Sequence, residues 1–256
     1  MALELGELDS IKIENMLEEF RERMQARLQR EEEEKAKEKE YGVVSVALGD
    51  GFANIFQELG VDKIVAGGQT MNPSIDDLLS AIDSTNARHV FVLPNNTNII
   101  LAAQQAAELT DRKVCVLQTK SVPMGISAVL AFSPEASFED NMIAMNEAAQ
   151  AVHTASITYA VRDTIFDGKE IHEGDIMGLI DNKVEVVGDD VAQVAKDLME
   201  LMVTDDSSLI TIYSGTDVKA EDAEELKAAL EENYDLCDVE LQVGGQPLYY
   251  YLIAVE

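Results

Sequence analysis

The sequence predicts an α/β protein in two lobes: a parallel, doubly wound sheet first, a mixed sheet after it, and a long helix ahead of both. Three observations carry this. Between Val43 and Gln118, short β-branched or apolar runs start roughly 20 to 25 residues apart, with helix-length material between them, the spacing that right-handed crossovers need. From Thr154 the pattern changes to runs joined by turn residues, which suits antiparallel pairing. Residues 1–40 carry 13 acidic and 8 basic side chains and read as helix throughout.

Within those 40 residues, Ile13, Met16, Leu17, Phe20, Met24 and Leu28 recur at three- and four-residue steps, an apolar stripe on one helix face. From Arg30 to Glu40 the stripe is gone, and Glu31 with Lys35 and Glu33 with Lys37 take the i,i+4 spacing of a solvated connecting helix. No earlier segment covers the stripe. The expectation is that the sequence is the C-terminal part of something longer, or that the stripe is the seam of a homodimer. The organisation expected is 1–40 helix, 41–152 first lobe and 153–256 second lobe.

The first-lobe strands are Val43–Ala47, Lys63–Ala66, His89–Leu93 and Lys113–Gln118. Ser74 with Asp77 and Ser137 with Asp140 have capping-box spacing, and Asn96 or Asn98 can cap the helix between. In the second lobe, Thr154–Val161, Ile176–Ile180 and Lys183–Val187 read as strands, the last two flanking the turn Asp181-Asn182, and Gly168 to Gly174 reads as a polar loop. A helix (Asp189–Met202), a strand (Leu209–Tyr213), an acidic helix (Ala220–Glu232) and two strands (Val239–Val243, Leu248–Val255) follow. Gly244 to Pro247 is expected to join the last two as a hairpin.

Composition excludes several functions. With 46% hydrophobic residues in 256, the chain has ample material for a core. Its net charge of -30 repels a phosphate backbone, so nucleic acid is not an expected partner. No apolar run approaches the ~20 residues of a membrane span, and no basic-then-apolar leader opens the sequence. Cys115 and Cys237 lie far apart, and Cys115 sits in an apolar run, as a reduced thiol does. The compartment expected is the cytoplasm. Residues 205–240 hold 12 acidic side chains and two lysines, either a solvated face or a docking surface for a basic partner.

The candidate site residues gather where strands end. Gly49-Asp50-Gly51 resembles part of a dinucleotide fingerprint, but Asn54 stands at the third glycine and no acid closes the next strand, so NAD and FAD are excluded. The turn needs glycine for its dihedrals, or Asp50, Gly51 and Asn54 meet a ligand or partner. Gly67, Gly68, Gln69, Thr70, Asn72 and Ser74 follow the second strand, Ser74 being sufficiently explained as a cap. Asn95, Asn96 and Asn98 follow the third, and Thr119, Lys120 and Ser121 the fourth. All lie at the carboxyl ends of parallel strands, where open α/β sheets bind ligands. Arg162 faces either the cleft between lobes or a neighbouring acid. There is no G-x-x-x-x-G-K-[ST] loop, no G-x-S-x-G elbow, and no zinc spacing among the histidines and cysteines. No catalytic residue and no metal ligand is identified.

Taken in order, Lys12 to Met16, the charged helix, Val44 to Gly51, Gly67 to Ser74, Pro94 to Asn98, Gln118 to Pro123 and Ser156 to Arg162 resemble the C-terminal half of the bacterial fatty acid kinase A subunit, of the dihydroxyacetone-kinase-like family. The resemblance implies a two-lobed DegV-like fold. It implies a system in which the A subunit holds ATP and magnesium on an N-terminal domain, lacking here, and a separate B subunit presents a fatty acid for conversion to acyl phosphate. This chain would then carry no cofactor, would be non-catalytic alone, and would dock the fatty-acid-carrying B subunit through the first-lobe sheet rim. The alternative is a receptor for a lipid or phosphorylated metabolite in the cleft between lobes. DegV-like lipid binders carry Ser-Gly-x-Ser-Gly-Thr after a first-lobe strand. Here that place reads Asn95 to Asn98, and Ser214 to Thr216 is the one Ser-Gly-Thr in the chain.

Overall fold

The computed structural model describes Met24 and residues 38–68, 71–166 and 169–256. The helix expected over residues 1–40 lies outside the described residues, apart from helical Met24 and the last three positions. The latter correct it. The first strand, β1 (Lys39–Ala47), already includes Lys39 and Glu40. Glu40 lies 3.2 Å from His89 and 3.9 Å from Arg88, side chains of the neighbouring strand β3 (Ala87–Leu93), so the start of β1 in the charged run meets cross-strand partners.

Residues 40–256 form one unit. With β2 (Lys63–Ala66) and β4 (Lys113–Val116), the first sheet runs in the order β2-β1-β3-β4, with β1/β2 and β3/β4 parallel. Alternation along β1 sends Val43 and Ala47 to one face and Val44 and Val46 to the other. The second face packs on α2 (Ile75–Ser84) and α3 (Thr97–Leu109) through Leu78, Ile82, Ile99 and Ala103. The first face packs on α1 (Asp50–Glu58), α4 (Val122–Leu130) and α5 (Phe138–Ala151). Helices on both faces make this lobe doubly wound.

The second sheet is mixed and has six strands in the order β11-β10-β12-β5-β8-β9. These are β5 (His153–Tyr159), β8 (Ile176–Ile180), β9 (Lys183–Gly188), β10 (Leu209–Ser214), β11 (Asp238–Val243) and β12 (Tyr249–Val255). One face is covered by α6 (Val191–Met202) and α7 (Ala220–Asn233), with Leu198, Leu226 and Leu230 fully buried or nearly so. The other turns toward the first sheet: Tyr213, Leu252 and Ala254 share a core with Phe52, Phe91 and Ile126. Asp181 and Asn182, at φ +47° and +69°, form the tight turn between β8 and β9.

Two expectations are corrected. Gly244 to Pro247 does not close a hairpin, because β10 lies between β11 and β12, parallel to the first and antiparallel to the second. The crossover helix α7 forces β11 to run parallel with β10, and the chain must then pass over the end of β10 to start β12. The glycines serve that crossing: Gly244 and Gly245 both donate to Ser214 O at 3.0 Å, and a Cβ on Gly215 would stand 1.9 Å from Tyr249 O. Lys169–Ile171, expected in a polar loop, pairs antiparallel with Thr164–Phe166 as the ribbon β6/β7. Among the described residues no helix is long and apolar enough to cross a membrane.

The crossing also seats the second sheet on α1. Phe52 N donates to Gly244 O at 3.0 Å, and a Cβ at Gly51 would lie 1.8 Å from Val243 O. Gly→Ala inside a helix ordinarily stabilises by about 0.5–1 kcal/mol. Gly51→Ala should invert that sign and destabilise by about 1–3 kcal/mol, read as a lowered urea midpoint; a raised midpoint would mean the two segments do not meet this closely.

Candidate functional site

The carboxyl ends of the first-sheet strands face the second sheet across a cleft of about 80 Å³. Of the expected residues, the fold brings Gly67, Gly68, Asn95, Asn96, Lys120 and Ser121 to its lining. Ser156, Asn182 and Gln246 join them from the other side, and Leu252 and Phe52 supply an apolar floor. A larger trough of about 250 Å³ continues past Lys120 and Ser121 to His153 and Asp181.

Most polar groups on this rim have a structural partner or a place in solvent, and the carboxamide oxygens of Asn95 and Gln246 are the buried exceptions. Asn95, 6% exposed and at φ +56°, donates through Nδ2 to Ser45 Oγ and Val46 O, both at 2.9 Å, while its N–H donates to buried Thr119 Oγ1 at 3.1 Å. Its Oδ1 has no partner and abuts Gly125, where a Cβ would stand 2.2 Å away. Asn96 caps α3, its Oδ1 accepting from Asn98 N at 2.9 Å. Ser121 caps α4 and lies 2.7 Å from Thr154 Oγ1, tying the end of β4 to β5. Gly67 N donates to Ala47 O, Gly68 N donates to Met71 O, and Pro73 leaves no room for a Cβ on Gly67. Lys120 is exposed, with no ion pair among the described residues.

The remaining expected residues lie elsewhere. Asp50 and Asn54 are exposed on α1, and Gly51 is a packing position against Val243. Asn72 and Asn98 are exposed. Ser74 completes a capping box with Asp77, whose carboxyl the Ser74 hydroxyl and N–H hold below its ordinary pKa. Gln69 and Thr70 lie outside the described residues. Arg162 is exposed beyond β5; it neither lines the cleft nor pairs with an acid among the described residues.

Sequence reasoning missed Gln246. It is 4% exposed, its Nε2 donates to Tyr213 O at 3.0 Å, and its Oε1 is unpartnered against Gly244, where a Cβ would stand 2.1 Å away. The two glycines before it were the available signal, since only a residue without a side chain lets a carboxamide lie flat on the backbone. Neither carboxamide is placed for acid–base chemistry. Burial pushes the Cys115 thiol up to about 11 and Tyr213 higher still, so neither ionises near neutrality. Among the described residues no three His, Cys, Asp or Glu side chains form a metal cluster. The arrangement locks backbone segments together and exposes one cation.

The lock is testable. Asn95→Ala and Gly125→Ala should each destabilise by about 1–3 kcal/mol. Because the added methyl occupies the space that Oδ1 vacates, the double variant should fall short of the sum by about 1 kcal/mol or more in urea unfolding. Additivity within about 0.5 kcal/mol would show that the carboxamide and Gly125 do not press on each other.

Comparison with known proteins places this fold. The chain is 42% identical to Protein YloV of Bacillus subtilis over 252 residues, 98% of this chain and 46% of that protein. It is 38% identical over 254 residues to the uncharacterized protein SERP0792 of Staphylococcus epidermidis, again 98% of this chain and 46% of the relative. The chain thus spans about half the length of the curated relatives it matches. A fatty-acid-binding DegV family protein of Thermus thermophilus superposes with TM-score 0.61 at 14% identity, covering 84% of this chain and 99% of that one. The Streptococcus pneumoniae fatty acid kinase B3 protein loaded with linoleic acid gives 0.58 at 12%, covering 85% and 99%. The dihydroxyacetone kinase of C. freundii, in complex with AMP-PNP and Mg2+, gives 0.59 at 14%, covering 84% and 48%. At these identities the likeness is one of fold, and the fold is DegV-like. The C-terminal family of fatty acid kinase A-subunit-like proteins matches residues 42–256, and the chain belongs to it.

Proposed function

We propose that this chain is the non-catalytic docking module of a two-component fatty acid kinase. It receives the fatty-acid-carrying B subunit in the cytoplasm while ATP and magnesium are held by another domain of the kinase. The observation that carries this reading is the small size of the cleft. Small-molecule sites run to roughly 300–1,000 Å³, and the cleft between the sheets offers about 80 Å³, room for a few waters. Its best-placed polar groups, Asn95, Asn96, Ser121 and Gln246, are engaged in holding strands and capping helices. A fold that elsewhere holds a lipid here has only a small cleft between its sheets, which leaves its outer surface for recognition. The -30 charge favours a partner with a basic face and speeds encounter with it.

A second reading, a receptor for a small anion, is favoured by one observation: Lys120 stands unpaired where the cleft meets the trough beside the start of α4.

Titration calorimetry separates the two. Lipid-loaded B subunit titrated into the folded chain should give saturable binding that weakens as salt rises, and free oleate should give none. Binding of oleate or inorganic phosphate with no response to the B subunit would favour the receptor and overturn the docking reading.

A further inference from the structure

A second concavity lies on the opposite face of the six-stranded sheet. Leu252 belongs to the core shared with the first sheet, whereas Tyr251 and Ile253 belong to the core under α6 and α7. At the start of β12 the pairing with β5 slips. Tyr249 stands opposite Thr158 and Tyr251 opposite Ile157, leaving Tyr250 as an extra residue. Regular alternation would send Tyr250 and Tyr251 to opposite faces. The bulge brings both to the lining of one groove of about 570 Å³, between the first turns of α6 and α7.

The walls of this groove are acidic. Asp189 and Asp217 line it together with Asp222 and Glu225 from α7, and none of these four has an ion pair among the described residues. Asp190 is spent on capping α6, accepting from Gln193 N at 2.8 Å, and Lys196 is the one base of the lining. Carboxylates alone would mark only a solvated face. Tyr251 is different: it is 3% exposed, it lines the groove, and its hydroxyl has no hydrogen-bond partner among the described residues. Burial first, and the charge of Asp222 second, push it up to about 12, so the hydroxyl stays neutral. The side chain is held in the wall of the groove, and its oxygen is free to accept from an incoming donor.

We propose that this groove accepts an arginine side chain of the protein that docks on this chain. The inference rests on the docking reading and names the contact. A guanidinium is flat enough to lie on a tyrosine ring, carries five N–H donors for the Asp222 and Glu225 carboxylates, and gives Tyr251 Oη the donor it lacks. An ammonium is more strongly hydrated and offers no planar face. A bare metal ion fits less well, since no cluster of three ligating side chains forms here among the described residues.

The test compares Asp222→Asn/Glu225→Gln with a charge-matched control, Glu232→Gln/Asp235→Asn, which lies at and beyond the far end of α7. All four residues are exposed, so both variants should fold. Calorimetry with lipid-loaded B subunit should show affinity reduced at least tenfold in the first variant and less than twofold in the control. In parallel, NMR shifts on adding the peptide acetyl-Gly-Arg-Gly-amide should cluster at Tyr250, Tyr251, Asp222 and Glu225, and should vanish with citrulline in place of arginine. Equal loss in both variants would overturn the groove and leave docking intact. If wild-type chain does not bind the B subunit, docking itself fails. The peptide then decides the groove: arginine-specific shifts there would keep it as the contact for another protein, and their absence would overturn it.

Discussion

The structure depends on one crossing. To leave β11 and enter β12, the chain passes over the end of β10 between Gly244 and Leu248, and the same stretch is pressed onto the start of α1 from the first sheet. Gly215, Gly51 and Gly244 lie where a Cβ would overlap a backbone oxygen or the Gln246 carboxamide. Leu248 is held at φ +71°, a conformation costly for a side chain of its kind, with its carbonyl accepting from Thr158 Oγ1 at 2.6 Å. Such contacts persist only when the packing around them over-determines the backbone. Here that packing is the core in which Phe52 meets Tyr213, ring centroids 5.2 Å apart, and Leu252 joins both.

From this constraint both concave surfaces follow. On the inner face, the crossing brings Gln246 and Tyr249 against the strand ends of the first sheet and leaves little open volume. On the outer face, the chain enters β12 out of register, and the bulge at Tyr250 aims two tyrosines at the acidic groove. Asn95 and Gln246 act as bolts on the inner side. Each spends its amide N–H on a main-chain carbonyl and lays its oxygen against a glycine. An unpaired carboxamide oxygen is costly when buried, so both segments are held by a compromise that any widening of the cleft would disturb.

The parallel half was legible because its signals are local. Short β-branched runs, serine caps and helix-length spacers mark each crossover, and Ser74 and Asn96 cap as their neighbours in sequence require. The turn Asp181-Asn182 was legible for the same reason. The order of β10, β11 and β12 was not. A glycine pair between two apolar strands reads as a hairpin turn, and only the third strand between them shows that it is a crossing. Site residues followed the same division. Strand-end positions could be located from the sheet, but which of them are consumed by packing depends on atoms far away in sequence: Gly125 for Asn95, Val243 for Gly51, Tyr213 for Gln246. The bulge at Tyr250 left no trace in the run of three tyrosines.

The central claim is that a fold shared with lipid-holding proteins here works with a cleft that takes up no lipid. Hydrogen–deuterium exchange of the chain alone, with excess oleate, and with lipid-loaded B subunit tests it most directly. Exchange at residues 67–68, 94–96 and 246–249 should be unchanged by oleate, while the B subunit slows exchange on the outer surface. Slowing at those three cleft segments with oleate alone would contradict the account.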